Sequence, residues 1–357
     1  MANLDRFLVK SETAIRDVMA NIGLAKGLAL IVDGQTRLLG TVTDGDIRRA
    51  ILTGVDTARP VGDLLKMPRS PDRAKPLTAS ANTPSARLLQ MMSEAELRHI
   101  PLLNDSGQVV DVAVLEEMVK DYELPFTAVI MAGGQGTRLR PLTETTPKPM
   151  LPVGGKPLLE HTIGQLRTAG IRRVEITTHY LGEVIKQHFG DGANFGVAIS
   201  YLRENEPLGT AGALSLREKS DEPILVVNGD VLSQVDVRAL LDFHNEHRAA
   251  MTVAVRRHQF EIPFGVVEIN GVDILGISEK PTISYLINAG MYVLSGGALS
   301  LVPPGQHYDM TDLIRDLTTI KRRVVGFPIE EYWMDIGRLG DYQKAQADSQ
   351  RLSGASQ

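Results

Sequence analysis

The sequence predicts an α/β protein in two parts, a larger wound sheet of mixed strand direction preceded by a smaller α+β unit. Three observations favour this fold class. From Phe126 onward, short apolar runs typical of buried strands alternate with segments of helical periodicity. Before Asp121, one order of helix, strand, turn, strand and helix occurs twice. A length of 357 residues, 43% of them hydrophobic, suits about two domains with a sizeable core.

Composition narrows the class of protein. The formal net charge of -5 argues against a general nucleic-acid binder. With no cysteine, the chain has no disulfide, no thiolate nucleophile and no zinc-thiolate site, which fits a reducing cytoplasm. Residues 1–10 lack an apolar signal core, and no run approaches membrane-spanning length. We therefore expect a soluble, cytoplasmic chain that contacts neither nucleic acid nor membrane.

The smaller unit is predicted to contain two repeats, at 1–60 and 61–121, followed by a linker at 122–126. In the first repeat, a helical pattern through Ile15, Val18 and Met19 precedes two strands and a helix that starts near Asp44. The strands are expected at 29–32 and 38–42. The second repeat has the same order, with a helix at 85–92, strands at 99–103 and 109–114, and a closing helix from residue 115.

The larger unit, 127–350, is predicted to alternate strands with helices. The expected strands are 128–132, 173–178, 197–202, 224–227, 252–255, 265–268, 274–278, 287–294 and 324–328, and the expected helices are 158–169, 181–189, 237–247, 309–320 and 340–351. Active sites in wound sheets lie beyond the carboxyl ends of strands. Both a glycine-rich segment after Ala132 and the carboxylate of Asp230 follow a predicted strand.

The glycine-rich segment indicates nucleotide chemistry. Gly133, Gly134 and Gly136 have no Cβ, so their backbone N–H groups can surround a phosphate. Arg138, Arg140 and Lys148 follow and can balance the charge of a triphosphate. Two common motifs are excluded by their spacing. Leu139 stands where a dinucleotide fingerprint needs a third glycine, and Gly155-Lys156 is followed by proline where a Walker loop needs serine or threonine.

As a whole, the pattern G-G-x-G-T-R-L-x-P-L-T followed by P-K-P, at 133–149, resembles the signature of sugar-1-phosphate nucleotidyltransferases, also called nucleotide-sugar pyrophosphorylases. The resemblance covers about 126–350 and implies a Rossmann-like, glycosyltransferase-A-like sheet. It also implies transfer of a nucleoside monophosphate from a nucleoside triphosphate to a sugar 1-phosphate, without a protein nucleophile. The implied nucleotide-binding residues are Ala132, Gly133, Gly134, Gly136, Thr137, Gly209, Thr210 and Gly212.

The same resemblance assigns the catalytic and metal-binding residues. It implies that Arg138 and Lys148 steady the triphosphate and the leaving pyrophosphate, and that Asp230 and Asp335 bind Mg²⁺. Carboxylate oxygens are suitable ligands for this hard cation, whose remaining positions water and phosphate can fill. A single aspartate after a strand is more often a turn or cap residue, but two carboxylates in matching contexts favour the metal assignment. The single tryptophan, Trp333, is expected to pack in the core beside the site.

The resemblance says less about the residues that bind the sugar 1-phosphate and about which base is used. The element Glu279-Lys280-Pro281 matches the family segment whose glutamate bonds sugar hydroxyls and whose lysine pairs with the sugar phosphate; Gly265 and Asn288 lie in segments that match backbone contacts along the sugar. Residues 206–214 and 331–335 look most like guanylyltransferases that make GDP-sugars from mannose, heptose or glucosamine 1-phosphates. Uridylyl or thymidylyl transfer stays open, and so does a non-catalytic sensor of a nucleotide or nucleotide sugar.

The smaller unit resembles a tandem pair of CBS domains. Residues 40–47 are close to the CBS pattern G-h-h-T-x-x-D-h, where h is apolar. The resemblance implies that Thr43 and Asp46 bind the phosphate and ribose of a regulatory nucleotide, whereas the simpler interpretation of Thr43 is a helix N-cap. The second repeat departs from the pattern, with Asp111, Val114 and Glu117 at the matching places, so we expect at most one such site. CBS pairs often associate, so we expect a homo-oligomer.

Overall fold

The computed structural model describes residues 4–67, 76–119, 123–218 and 220–354. The chain divides into two compact units, Met1–Leu124 and Pro125–Gln357. The predicted linker begins at residue 122, which lies outside the described residues, as do residues 68–75 and 120–121 of the predicted second repeat. Among the described residues, no helix combines the length and the apolar character needed to cross a membrane.

The first unit contains two three-stranded sheets that share one connectivity. In each sheet the first strand pairs in parallel with the second, and the second pairs antiparallel with the third. The elements are β1 (Leu8–Lys10), α1 (Ile15–Ile22), β2 (Leu28–Val32), β3 (Leu38–Thr43) and α2 (Asp44–Leu52), then β4 (Ala79–Ser80), α3 (Ser85–Glu94), β5 (His99–Leu103), β6 (Val109–Val114) and α4 (Leu115–Met118). The sequence pattern does not predict β1 and β4, because two or three residues carry no periodic signal.

Packing explains these elements. Helix α1 buries Ile15, Val18, Met19 and Ile22, the i, i+3, i+4, i+7 spacing of one helix face. Every residue of the apolar strand β2 is buried. One cluster of buried side chains connects β2 with β6 and so joins the two halves of this unit.

The second unit is built on a seven-stranded mixed sheet in the order β11-β10-β7-β12-β17-β14-β18. Its strands are β7 (Thr127–Met131), β10 (Arg173–Thr178), β11 (Ala198–Arg203), β12 (Ile224–Asn228), β14 (Met251–Glu261), β17 (Thr282–Leu294) and β18 (Val324–Ile329). Three short pairs flank it: β8 (Pro152–Val153) with β9 (Lys156–Pro157), β13 (Val231–Ser233) with β19 (Trp333–Asp335), and β15 (Val266–Asn270) with β16 (Asp273–Ser278).

The helices of this unit connect those strands. They are α5 (Leu158–Ala169), α6 (Gly182–Phe189), α7 (Gly209–Gly212), α8 (Val237–His247), α9 (Gly296–Leu299), α10 (Met310–Thr319) and α11 (Leu339–Gly354). Helix α6 starts one residue later than predicted, since Leu181 has a left-handed φ of 52°. Helix α8 is capped by Asp236, whose side chain accepts the N–H groups of Arg238 and Ala239.

Strand order decides where the site lies. Strand β7 lies inside the sheet, between β10 and β12, and pairs in parallel with both. Met131 and Asn228, the last residues of β7 and β12, are register partners. The glycine-rich segment and the Asn228-Gly229-Asp230 segment therefore leave the sheet side by side, at its carboxyl edge. The expectation of a mixed α/β sheet is confirmed, and four of the six strand pairs in the sheet are parallel.

Two strands are longer than the sequence predicts. We expect strands at 252–255 and 287–294, but β14 and β17 pair with each other from Met251 to Glu261 and from Thr282 to Leu294. Their near halves, which include residues 251–254 of β14 and 289–294 of β17, are buried in the sheet. Most residues of their far halves, at 257–261 of β14 and 282–288 of β17, are exposed. The far halves lack the apolar run that identifies a buried strand, so the pattern ends too early.

Candidate active site

The glycine-rich segment begins where β7 ends and is held by its neighbours. The Ala132 N–H donates to Thr177 Oγ1 at the end of β10, at 3.1 Å. Gly133 lies against Glu204, and a Cβ added at Gly133 would overlap Glu204 Oε1. Gly136 has φ +62° and receives a hydrogen bond on its carbonyl from the Thr143 hydroxyl, at 2.8 Å. The segment therefore favours glycine at 136 for backbone conformation, and a side chain at 133 would displace the Glu204 carboxylate.

A cavity of about 200 Å³ opens beside this segment. We call it the first cavity. Of the predicted nucleotide-binding and catalytic residues, those that line it are Ala132, Gly133, Gly134, Lys148, Gly209, Thr210 and Asp230. Gly136, Thr137, Arg138 and Gly212 are not among its lining residues. Instead, Gly212 packs against the loop before α10, where a Cβ would lie 2.5 Å from the Gln306 carbonyl oxygen.

A second cavity, of about 120 Å³, lies on the other side of Asn228. Its walls come from β13, β17 and β19, and include Asn288, Tyr292, Trp333 and Asp335. Asn288 donates to the Tyr292 hydroxyl at 2.8 Å and accepts the Gly290 N–H at 3.0 Å, which fixes the wall. Trp333 is half-buried and donates its indole N–H to the Ala289 carbonyl. It thus lines a cavity as well as packing beside the site.

The two cavities meet at Asn228, which lines both. Gly290, at φ +72°, comes so close that a Cβ there would lie 2.7 Å from the Asn228 amide nitrogen. The buried Oδ1 of Asn228 has no hydrogen-bond partner in the structure. A polar side chain held at the junction of two cavities can contact molecules bound in either.

The predicted catalytic cation Lys148 and the predicted metal ligand Asp230 form an ion pair on the wall of the first cavity. Lys148 Nζ lies 2.5 Å from Asp230 Oδ2, and the lysine side chain is only 11% exposed. Lys148 stands in the short helical turn Lys148–Met150, where the residue before it, Pro147, has an extended conformation. Its charge therefore lies at the carboxyl edge of β12.

Asp335 reaches the same place through the short pair β13–β19. Val231 is the register partner of Asp335, and the Ile336 N–H donates to the Asp230 carbonyl oxygen at 3.0 Å. Arg138 approaches from the glycine-rich segment. A Cβ built on Gly337 would lie 3.6 Å from Asp335 Oδ1 and 3.7 Å from Arg138 Nη1. All four predicted catalytic residues thus converge on one region.

The electrostatics of this region favour a bound cation. Desolvation by the surrounding protein, together with the negative charge of Asp230, raises the pKa of Asp335, while Lys148 and Arg138 oppose that rise. A divalent cation held by Asp335 would offset this penalty on its ionised form. No group of three or more His, Cys, Asp or Glu side chains suited to a metal occurs in the described part of the chain. Asp230 and Asp335 thus fit Mg²⁺, with water and phosphate completing its ligands.

The loop after β11 forms another wall of the first cavity. Glu204 follows β11 directly, is buried, and accepts the Leu208 N–H on Oε2 at 3.0 Å. Thr210 donates both its N–H and its hydroxyl to Asp309, at 2.8 and 3.0 Å. The Ala211 and Gly212 N–H groups donate to the Tyr308 carbonyl. The loop is therefore held from behind by residues 308–309.

Several residues that line these cavities were not assigned from the sequence, among them the polar residues Thr177, Glu204 and Asn228. Asn228 ends β12 and Glu204 directly follows β11, which is the rule that identifies Asp230. Thr177 is the next-to-last residue of β10 and carries a weaker form of the same signal.

Three predicted acceptor residues lie outside both cavities. Gly265 precedes β15, and Glu279 and Lys280 follow β16. Gly265 and Glu279 are neighbours, since a Cβ at Gly265 would lie 3.0 Å from Glu279 Oε2. Lys280 has a left-handed φ of 45°. Their roles toward a sugar phosphate stay predictions, and of this group only Asn288 lines a cavity.

The predicted regulatory residues Thr43 and Asp46 are engaged at the start of α2. Thr43 Oγ1 accepts the Asp46 N–H at 3.2 Å, and Asp46 Oδ2 accepts the Thr43 N–H at 2.9 Å, which is a capping box. Arg49 donates to the other Asp46 oxygen. In the second repeat, Glu117 forms an ion pair with Lys26 at 2.8 Å. The N-cap interpretation of Thr43 agrees with this geometry, while a nucleotide site here stays a prediction.

The chain was compared with known families and structures. The family profile described as nucleotidyl transferase matches residues 127–351. A mannose-1-phosphate guanylyltransferase of Mycobacterium tuberculosis is 36% identical over 229 residues, 62% of this chain and 64% of that protein. The chain thus covers less than two thirds of this relative. A D-glycero-α-D-manno-heptose 1-phosphate guanylyltransferase of Aneurinibacillus thermoaerophilus is 31% identical over 226 residues, 62% of this chain and 98% of that protein.

The fold has a counterpart among solved structures. A protein of Bacillus anthracis assigned as a glucose-1-phosphate thymidylyltransferase matches with a TM-score of 0.51 and 26% identity. The match covers 63% of this chain and 95% of the other. All of these matches extend over a share of the chain comparable with that of the second unit.

Proposed function

We propose that this chain, which belongs to the nucleotidyl transferase family, transfers a nucleoside monophosphate from a nucleoside triphosphate to a sugar 1-phosphate. The observation that carries the proposal is the pair of cavities meeting at Asn228, with Asp230 on one wall and Asp335 on the other. A triphosphate in the first cavity and a sugar phosphate in the second would bring their phosphates together at that junction. This is the geometry that an in-line displacement requires.

The reaction needs charge neutralisation and alignment more than acid–base chemistry. An oxygen of the sugar phosphate attacks the α-phosphorus, the bond from that phosphorus to the bridging oxygen of the β-phosphate breaks, and pyrophosphate leaves. Lys148 can exchange its contact with Asp230 for one with the triphosphate, and Arg138 lies near enough to share the developing charge. Asp230 and Asp335 would hold magnesium, whose role would be to supply further positive charge to the phosphates.

We propose guanine as the base, because of Glu204. An ionised carboxylate only accepts hydrogen bonds. Guanine presents two adjacent donors on its Watson–Crick edge, whereas uracil and thymine present one donor between two acceptors, which a carboxylate repels. Glu204 is buried on the wall of the first cavity, and its Oε2 is oriented by the Leu208 N–H. The two guanylyltransferase relatives agree with this choice, and uridylyl or thymidylyl transfer is the alternative that the same site chemistry permits.

Substituting Glu204→Gln tests the base assignment. The amide adds a donor where guanine also offers donors, and losing one matched pair costs about 1–3 kcal/mol. We expect kcat/KM with GTP to fall by about 10- to 100-fold and the ratio of UTP or dTTP to GTP turnover to rise. Glu206→Gln, an exposed change in the same loop, should leave the ratio unchanged. An unaltered base preference in the Glu204 variant would reject this role.

We propose a manno-configured hexose or heptose 1-phosphate as acceptor, since both guanylyltransferase relatives are named for such sugars, with glucosamine 1-phosphate as a further candidate. Pyrophosphate release would be measured across GTP, UTP, dTTP, CTP and ATP, each combined with mannose, heptose, glucosamine and glucose 1-phosphates. One dominant combination would identify both substrates. If folded protein released no pyrophosphate with any combination, this would favour a sensor that binds a nucleotide sugar without turnover.

Asp230→Asn distinguishes enzyme from sensor. Loss of a group that stabilises transition-state charge costs roughly 100-fold or more in rate. We therefore expect turnover to collapse while the fold and nucleotide binding persist. Asp221→Asn, an exposed carboxylate before the amino end of β12, is the matched control and should retain full activity. Equal activity in both variants would reject the metal assignment.

Regulation through the first unit is a separate proposal that rests on Thr43 and Asp46. A nucleotide bound there would compete with the capping box of α2 and with Arg49. It can change activity only if it distinguishes two states of the enzyme. Kinetics with and without adenine and guanine nucleotides, for wild type and Asp46→Ala, would test this. Identical curves in every condition would reject it.

A further inference from the structure

Half of the large exposed apolar side chains in the described structure are concentrated in one segment of the second unit. We call residues 258–286 the apolar arm; it comprises the far halves of β14 and β17 and the hairpin β15–β16. Its large apolar side chains that are between 38% and 97% exposed are Phe260, Phe264, Val266, Val267, Ile269, Val272, Ile274, Leu275, Ile277, Tyr285 and Leu286. Single exposed apolar residues are ordinary on a surface, but a contiguous group of this size marks an interaction site.

The hairpin exposes apolar residues on both of its faces. Neighbouring residues of a strand point to opposite faces, and both members of the neighbouring pair Val266 and Val267 are exposed, as are Ile274 and Leu275. In the described structure β15 and β16 pair only with each other, so each has an open backbone edge. An isolated two-stranded hairpin is marginally stable in water. Both faces and both edges of the hairpin are therefore open to a further surface.

The dimensions and charge of the arm suit a second copy of the same chain. From Phe260 to Leu286 it offers 27 residues, and a stable interface uses about 20–30 residues on each side. Within the hairpin only Glu268 and Asp273 are charged, and the other charged residues of the arm, Glu261, Glu279 and Lys280, lie outside the hairpin. The hairpin edges themselves therefore repel each other little. A two-fold axis lets one open edge pair with its own counterpart, which satisfies both copies identically.

We propose that the apolar arm is the surface through which two copies of this chain associate, with the edges of their β15–β16 hairpins paired about a two-fold axis. The predicted acceptor residues Glu279 and Lys280 follow β16 directly. Association therefore restricts the backbone next to them as well. Nucleotide contacts in the first cavity lie elsewhere in the unit and are unaffected.

The double variant Ile274→Lys with Ile277→Lys tests the proposal by adding charges to exposed positions of β16. Sedimentation of the full chain over a range of concentrations should give a wild-type particle of twice the 38.9 kDa chain mass. For the variant, we expect a dimer dissociation constant raised at least about tenfold, with an unchanged circular dichroism spectrum and nucleotide affinity. Ile320→Lys, 53% exposed and outside the arm, is the matched control and should stay dimeric.

A cysteine scan gives a second measurement, because the chain has no cysteine of its own. Ile274→Cys should form a covalent dimer with a short bismaleimide, whereas Ile320→Cys should not. Three results would overturn the proposal. The wild type could be a monomer at every concentration, the lysine variant could remain a dimer, or the two cysteine variants could cross-link equally. A monomer whose arm binds an apolar dye would mean that a different molecule covers it, and would overturn it too.

Discussion

Asp309 holds the loop at Thr210, which lines the first cavity, although Asp309 itself lines neither cavity. Its Oδ1 accepts the Thr210 N–H at 2.8 Å and the Thr210 hydroxyl at 3.0 Å. The same hydroxyl accepts the Met310 N–H at 2.9 Å. Gly209, at φ +79°, packs so tightly that a Cβ would lie 2.8 Å from Asp309 Oδ1. Removing this carboxylate should therefore release the loop that closes the first cavity.

The size of the effect follows from those contacts. Asp309→Ala deletes a charged acceptor of two hydrogen bonds, and hydrogen bonds to charged groups contribute about 1.5–3 kcal/mol each when well shielded. Because this pair is exposed to solvent, we expect about 2 kcal/mol in total for ordering the loop. Each 1.4 kcal/mol corresponds to a tenfold change, so the KM for the nucleoside triphosphate should rise about 30-fold. The kcat should change less, since the loop does not contact the reacting phosphates.

The assay is steady-state pyrophosphate release with the triphosphate varied at saturating sugar phosphate. Asp309→Asn keeps a neutral acceptor oxygen and should recover most of the affinity. The reasoning is refuted if the alanine variant has the wild-type KM for the triphosphate. It is also refuted if only kcat falls, because that result would place Asp309 in the chemistry instead of in loop positioning.

Three further predictions concern stability. Without magnesium, Asp335→Asn should raise the unfolding temperature, because the pKa of Asp335 is raised and its ionised form destabilises the native state at neutral pH. Added magnesium should then stabilise the wild type but not the variant. His244 is buried, and desolvation lowers its pKa to about 4. The free energy of unfolding should therefore fall by about 3 kcal/mol as the pH drops from 6.5 toward 4, at 1.36 kcal/mol per pKa unit. Urea titrations measure this fall, and His244→Gln should reduce its dependence on pH. Gly133→Ala should cost about 1–3 kcal/mol in thermal unfolding, since its Cβ overlaps Glu204, whereas Gly134→Ala has open space and should be neutral.

Much of the site was accessible to sequence reasoning because its residues occupy positions that local patterns identify. A buried apolar run followed by glycines or a carboxylate predicts a strand end, and the structure brings Lys148 to Asp230 and Arg138 to the neighbourhood of Asp335. Glu204 follows its strand in the same way. A glutamate in a loop is common, however, and only the structure shows that this one is buried beside Gly133.

Other features depend on contacts between residues that are distant in sequence. Strand β19 has three residues, and its pairing with β13 is what places Asp335 beside Asp230. Glu279 and Lys280 match a family segment, yet both lie at the end of the apolar arm and outside the two cavities. Thr43 fits a nucleotide pattern and a helix cap equally well in sequence, and the structure shows the cap.

The sequence by itself determined the class of sheet, the carboxyl edge where the candidate site lies, and the cationic, glycine-rich character of the segment after β7. These properties follow from periodicity and residue type, which are local. Only the tertiary structure decided that two cavities share Asn228, that Asp309 supports the loop at Thr210, and that the arm from 258 to 286 is exposed. Each depends on which surfaces meet when distant strands pair, and local patterns do not contain that information.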